Sequence, residues 1–195
     1  MDFAEKLKRA KLPERTVTLC LNGDLQAEFE QADAVLSGLV ENPPDSLDTG
    51  IDAARERVEF ITEQMREASQ VFRFRALPPP DWDALLAEHP PRQGEDGEPV
   101  KDDAVGVNTA TFYDAVIRTC CVDPVPTDEQ WRYLLGDNPA RAEELKAEGK
   151  PVEKGVLSSR QFGQLADAAW RVNRSSVDVP FSRAVSVLKS STEQR

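Results

Sequence analysis

The sequence predicts an α+β fold that is mostly α, with an N-terminal β-α-α-β unit carrying an antiparallel helical hairpin and a C-terminal bundle of short helices. Three observations predict it. Residues 15–21 and 69–77 alternate apolar and polar side chains with period two, as half-buried strands do. Between them lie two runs whose apolar residues recur at spacings of three and four, joined by the helix-breaking NPPDSLDTG. Beyond residue 106 the apolar positions form short helical stripes, introduced by capping residues or stopped by prolines.

A polar stretch opens the chain as a short helix or arm. In RTVTLCL, Val17, Leu19 and Leu21 point one way and Thr16, Thr18 and Cys20 the other. Asn22, Gly23 and Asp24 end this strand and supply capping oxygens for a helix whose seam is Leu25, Phe29, Ala32, Leu36 and Leu39. After the proline-containing loop, Ile51, Ala54, Val58, Ile61, Met65 and Ala68 form a matching seam, so the two helices make an antiparallel hairpin. In SQVFRFRAL, Phe72, Phe74 and Ala76 share one face and Arg73 and Arg75 the other; ion pairs to Glu59, Glu63 or Glu67 of the preceding helix are the simplest partners for these arginines. Two strands alone are marginally stable, so this unit requires the hairpin or another chain to support it.

Pro78, Pro79 and Pro80 then interrupt the chain, Asp81 caps a short helix over 82–88, and Pro90 and Pro91 end it. RQGEDGEPVKDDA has five acids, two bases and Val100 as its one large apolar residue, the composition of a flexible acidic linker. The predicted organisation is a unit over 1–89, a linker over 90–105, and a helical domain over 106–195 with a charged insertion at about 136–156. In that domain a helix starting near Asn108 puts Phe112, Ala115, Val116 and Cys120 on one face. Thr127 and Gln130 form one capping box, before Trp131, and Ser158 and Gln161 another, before Phe162 and Trp170. Pro180 leads a last stripe of Phe181, Ala184, Val185 and Leu188.

The chain of 195 residues has 24 Lys and Arg against 35 Asp and Glu, a net charge of −11. Such a balance repels phosphate backbones, and the one basic cluster, Lys6, Lys8, Arg9 and Lys11, is interrupted by acids, so nucleic acid is not an expected partner. The apolar runs are too short for a membrane span, and no secretory signal opens the chain. Three cysteines, two of them adjacent, fit a reducing cytosol better than a disulfide framework.

No residue pattern points to catalysis, so the expectation is a protein that is not an enzyme. His89 is the only histidine and sits at a helix end, where capping explains it. The cysteine spacing matches no usual zinc motif, and no phosphate-cradling glycine loop occurs, so neither a metal nor another cofactor is expected. Cys120 lies on an apolar helix face with no basic neighbour in sequence to activate it. The remaining signal is aromatic. Phe112, Trp131, Phe162, Trp170 and Phe181 sit on separate short helices; most of them are read as one core, with one or two lining a groove for a hydrophobic partner segment.

FRFRALPPPDWDALLAEHPP, the acidic stretch after it, GVNTATFYDAVIRTCCVDP, LSSRQFGQLADAAWRVNR and VDVPFSRAVSVL, in this order, resemble the tail assembly chaperones of siphophages that infect actinobacteria. The resemblance covers residues 15–188 and is strongest over 72–124 and 157–187; the charged segment 138–155 is longer than it leads one to expect. Members of that family are encoded between the major tail protein and the tape measure protein. The resemblance implies a chaperone of the host cytoplasm that binds the tape measure protein, a long helical partner, keeps it soluble while tail tube protein polymerises round it, and is absent from the mature virion. It brings no established binding residues. Trp131, Phe162, Trp170 and Phe181 are the expected partner-binding residues, with the tail tube protein as a further candidate partner and the N-terminal unit as the site of self-association. The alternative is a structural tail or connector subunit of the virion.

Overall fold

The computed structural model describes residues 2–42, 50–95 and 97–174. After a short exposed helix, α1 (Phe3–Lys8), the chain enters strand β1 (Glu14–Cys20), then helices α2 (Gly23–Glu41) and α3 (Ile51–Glu67), and returns as β2 (Ser69–Arg75). Helices α4 (Pro79–Glu88) and α5 (Thr109–Cys120) follow, then a third strand, β3 (Cys121–Asp123), and helices α6 (Asp128–Leu135), α7 (Pro139–Ala147) and α8 (Ser159–Arg174). The described residues are mostly helical, with one three-stranded antiparallel sheet in the order β1-β2-β3. No helix among them is long and apolar enough to cross a membrane. The expected helix over 181–188 lies outside the described residues.

The register pairs Val17 with Phe72 and Glu14 with Arg75, and places Leu19, Phe72 and Phe74 on one face. That face is covered by α5, through Phe112, Val116 and Cys120, and by α8, through Leu165, Ala169 and Val172. The helices of the second half therefore pack on the strands of the first, in one shared core, where the sequence suggested a separate bundle. Gln161 at the start of α8 donates to the Cys20 carbonyl at 2.8 Å, and Asn173 near its end accepts from the Leu77 amide at 2.7 Å, so the helix is fastened at both ends of the sheet. The other sheet face is open and polar. There Arg75 pairs with Glu14 at 2.6 Å, and Arg73 lies 3.5 Å from both Glu14 and Asp123. These partners replace the glutamates of α3: strand pairing sets Glu14 directly across from Arg75, on the same face.

β3 was not foreseen. Three residues, Cys121–Asp123, are too few for an alternating pattern, and they follow α5 without a break; pairing with β2 makes them a strand. The start of α4 also differs. Pro79 and Pro80 lie inside its first turn with Pro78 as the preceding residue, because that turn needs no amide donors from them; Asp81 is in the turn and is not the cap.

The described residues of the acidic stretch, 90–95 and 97–105, are folded. Gln93 pairs with Pro99, residues Lys101–Asp103 form one 3₁₀ turn, and Asp103 is fully buried. Its carboxylate accepts from the Arg92 amide at 2.8 Å and guanidinium at 2.9 Å, and from the Thr109 amide and hydroxyl at 2.9 Å each. Composition alone hides this clamp, since the sequence does not say which of five acids is buried. The charged insertion is held as well. Asp137 pairs with Arg132 and accepts from the Glu153 amide, Leu145 of α7 is buried, and Gly136 and Gly155 meet backbone to backbone. A Cβ on Gly155, whose φ is +70°, would lie 2.5 Å from the Leu135 carbonyl carbon, so both conformation and space demand glycine.

The Arg92 guanidinium, with the amides and hydroxyl around it, holds the Asp103 carboxyl far below the usual carboxylate range. A depressed folded value means the ionised group stabilises the fold above the ordinary aspartate pKa and loses that contribution as pH falls below it. Asp103→Asn should therefore lower Tm at neutral pH and speed amide exchange over 90–109, with the gap to the native protein narrowing below about pH 4. Thermal melts at a series of pH values check this.

Candidate functional site

Trp131 is 4% exposed. Its ring lies 6.3 Å from that of Phe72, and the Arg118 guanidinium covers it at 6.0 Å. Its contacts are thus made inside the protein, and almost none of the side chain reaches the surface. The reason is register: the Thr127–Gln130 capping box fixes the start of α6, which turns Trp131 toward the sheet. Trp170 is half-buried in an edge-to-face cluster with Phe112 at 5.4 Å and Trp82 at 5.6 Å, and Arg174 lies over it at 4.8 Å. Phe162 packs against the same core and lines a recess of about 230 Å³ beside Gly136 and Pro139. The fourth expected partner-binding residue, Phe181, lies outside the described residues. The structure thus gathers Trp131, Phe162 and Trp170 round one core and does not bring them together on a surface.

His89 ends α4, shares a 2.8 Å hydrogen bond between Nδ1 and the Thr111 hydroxyl, and stands edge-on to Phe112. Cys120 and Cys121 are buried, and burial pushes both thiols up, away from the thiolate a nucleophile needs. Among the described residues no group of three or more His, Cys, Asp and Glu side chains could hold a metal ion.

Open apolar surface occurs elsewhere. The larger groove, about 840 Å³, lies between β2, the loop after β3 and α6. Leu21, Phe72, Val125 and Tyr133 line it, with Val125 80% and Tyr133 61% exposed, and Glu129, Arg132 and Glu153 stand on its rim. The second lies along the α2–α3 hairpin. These helices pack mainly on each other, and the seam foreseen from the sequence joins them, yet of its members only Leu25 and Ile61 are buried. Phe29, Ala32, Leu36, Leu39, Val58 and Met65 are half-covered. On one side Ala32, Val35, Leu39, Ala53 and Ala54 line a groove of about 490 Å³, and Glu28 pairs with Arg57 across it at 2.9 Å. Val35 is 53% exposed and Phe60, farther along α3, 54%. Covering one Val or Phe side chain fully is worth about 1.5–3 kcal/mol, so this hairpin gains substantially from a third element. The sequence signal for it was available: two seams of period 3.6 with only each other as partner.

Trp131→Ala should cost about 3–5 kcal/mol of stability, the range for removing a buried aromatic ring. Val125→Ser and Tyr133→Ser, at exposed positions of the larger groove, should each change stability by less than about 0.5 kcal/mol. Urea denaturation followed by tryptophan fluorescence measures all three. In comparisons with known proteins, no family model, curated protein or solved structure matches this chain.

Proposed function

We propose that this protein is a phage tail assembly chaperone that binds the tape measure protein in the host cytoplasm, keeps it soluble while the tail tube forms, and does not remain in the virion. The ordered resemblance of residues 15–188 to that family suggests the reading. The observation that carries it is the α2–α3 hairpin, whose apolar seam is only half-covered by its own two helices. A helical client with exposed apolar stripes is the chemical complement of such a surface, and packing of this kind holds without any catalytic group. The strong net acidity serves the same end, because a complex coated with like charge resists association with its neighbours.

Co-expression with the tape measure protein encoded beside it tests the proposal. The tape measure protein should move from the pellet to the soluble fraction and co-purify with the chaperone. An equally insoluble tape measure protein with and without the chaperone would refute it. Mass spectrometry of purified particles should find no copies; stoichiometric amounts would assign the chain to the virion as a structural subunit.

A further inference from the structure

The hairpin has more to say about what it binds. α2 carries five acids and no base, and α3 five acids and three bases, so together they hold 3 − 10 = −7. All three bases are already engaged, Arg55 with Asp52, Arg57 with Glu28 and Arg66 with Glu63. Among the described residues no base from outside the hairpin forms an ion pair with the acids that remain. An apolar groove therefore runs between two helices whose surplus charge has no counter-ion among the described residues.

The groove's shape selects a helix. Its walls are the ridge Ala32, Val35 and Leu39 on α2 and the small residues Ala53 and Ala54 on α3. Alanines let a third helix approach at the 8–10 Å separation of ordinary helix packing, and α3, with 17 residues, offers a length of about 25 Å. Phe60, seven residues after Ala53, continues the same side of α3. The charge selects the sign. A second copy of this hairpin would bring another −7 against the first, whereas a helix with lysine or arginine beside its apolar stripe would neutralise the surplus.

We infer that the α2–α3 groove docks one amphipathic helix of a partner, about 15–18 residues long, with basic residues flanking its apolar stripe. This deepens the chaperone reading and rests on it for the partner's identity: the bound segment of the client is basic and helical. The same geometry assigns the face to a client and not to self-association.

The test uses the full-length protein and two synthetic amphipathic helical peptides of equal length and identical Leu/Ala stripe, one flanked by Lys and the other by Glu. Fluorescence anisotropy should show saturable binding of the Lys peptide, weakened at least tenfold by raising salt from about 0.05 to 0.5 M, and at least tenfold weaker binding of the Glu peptide. Val35→Lys and Val35→Asp, at an exposed position, should each weaken the Lys peptide at least tenfold while circular dichroism and Tm stay unchanged. The Asp variant keeps the acidic attraction and removes the apolar contact. Unchanged binding to it would reduce the effect to diffuse charge attraction and overturn the groove. Equal binding of the two peptides, or of neither, would also overturn it. So would a doubled mass in light scattering that Val35→Lys abolishes, which would give the face to a second copy. In co-expression, a native chain that solubilises the tape measure protein beside a Val35→Lys chain that does so equally would overturn the inference and leave the chaperone function standing. Failure of the native chain there, with peptide binding intact, would do the reverse.

Discussion

The inner face of the sheet is the constraint on which the rest of the structure depends. Phe72 and Phe74 are fully buried on β2, the central strand, and two strands with one hairpin offer nothing large enough to cover them. The cover comes from α5 and α8, which lie 40 to 100 residues farther along the chain. Water must leave that face for the strands to be stable, so the first and second halves fold on each other and share a single cluster of buried side chains. Phe112 is the junction, touching the rings of Trp82, His89, Tyr113 and Trp170.

Once α8 and α5 are committed to the sheet, the intervening segments must be tethered to bring them there. The Asp103 clamp does this for residues 90–105, joining the loop at Arg92 to the first turn of α5 at Thr109. The ion pair between Arg132 and Asp137, together with the contact of Gly136 with Gly155, does it for the stretch between α6 and α8. Both are local polar devices in segments of low hydrophobicity. They hold loops in which too little apolar surface is available to do so.

The hairpin is the exception to this economy. It leaves the sheet at Cys20 and rejoins it at Ser69, and between those points its helices bury side chains mainly against each other. Its half-covered seam and acidic surplus stay available because the core already has its helices from the second half. Part of the open apolar surface thus lies on the first half, along the hairpin, whereas in the second half Trp131 is buried in the core and Phe162 and Trp170 pack half-covered against it.

Much of this was legible in the sequence. Period-two alternation located β1 and β2 to within two residues, period 3.6 located both hairpin seams, and Thr127 with Gln130 and Ser158 with Gln161 formed the capping boxes their spacing predicts. These features are local, decided by residues within a few positions of one another. What only the tertiary structure decided is non-local. A three-residue β3 exists because β2 presents it an edge. Asp103, one acid among five, is buried because Arg92 and Thr109 converge on it, and Trp131 is core because Phe72 stands opposite. Periodicity tells which face of an element is apolar, but not which distant element covers it, and that second fact put Trp131 inside the core and left the hairpin seam half-covered.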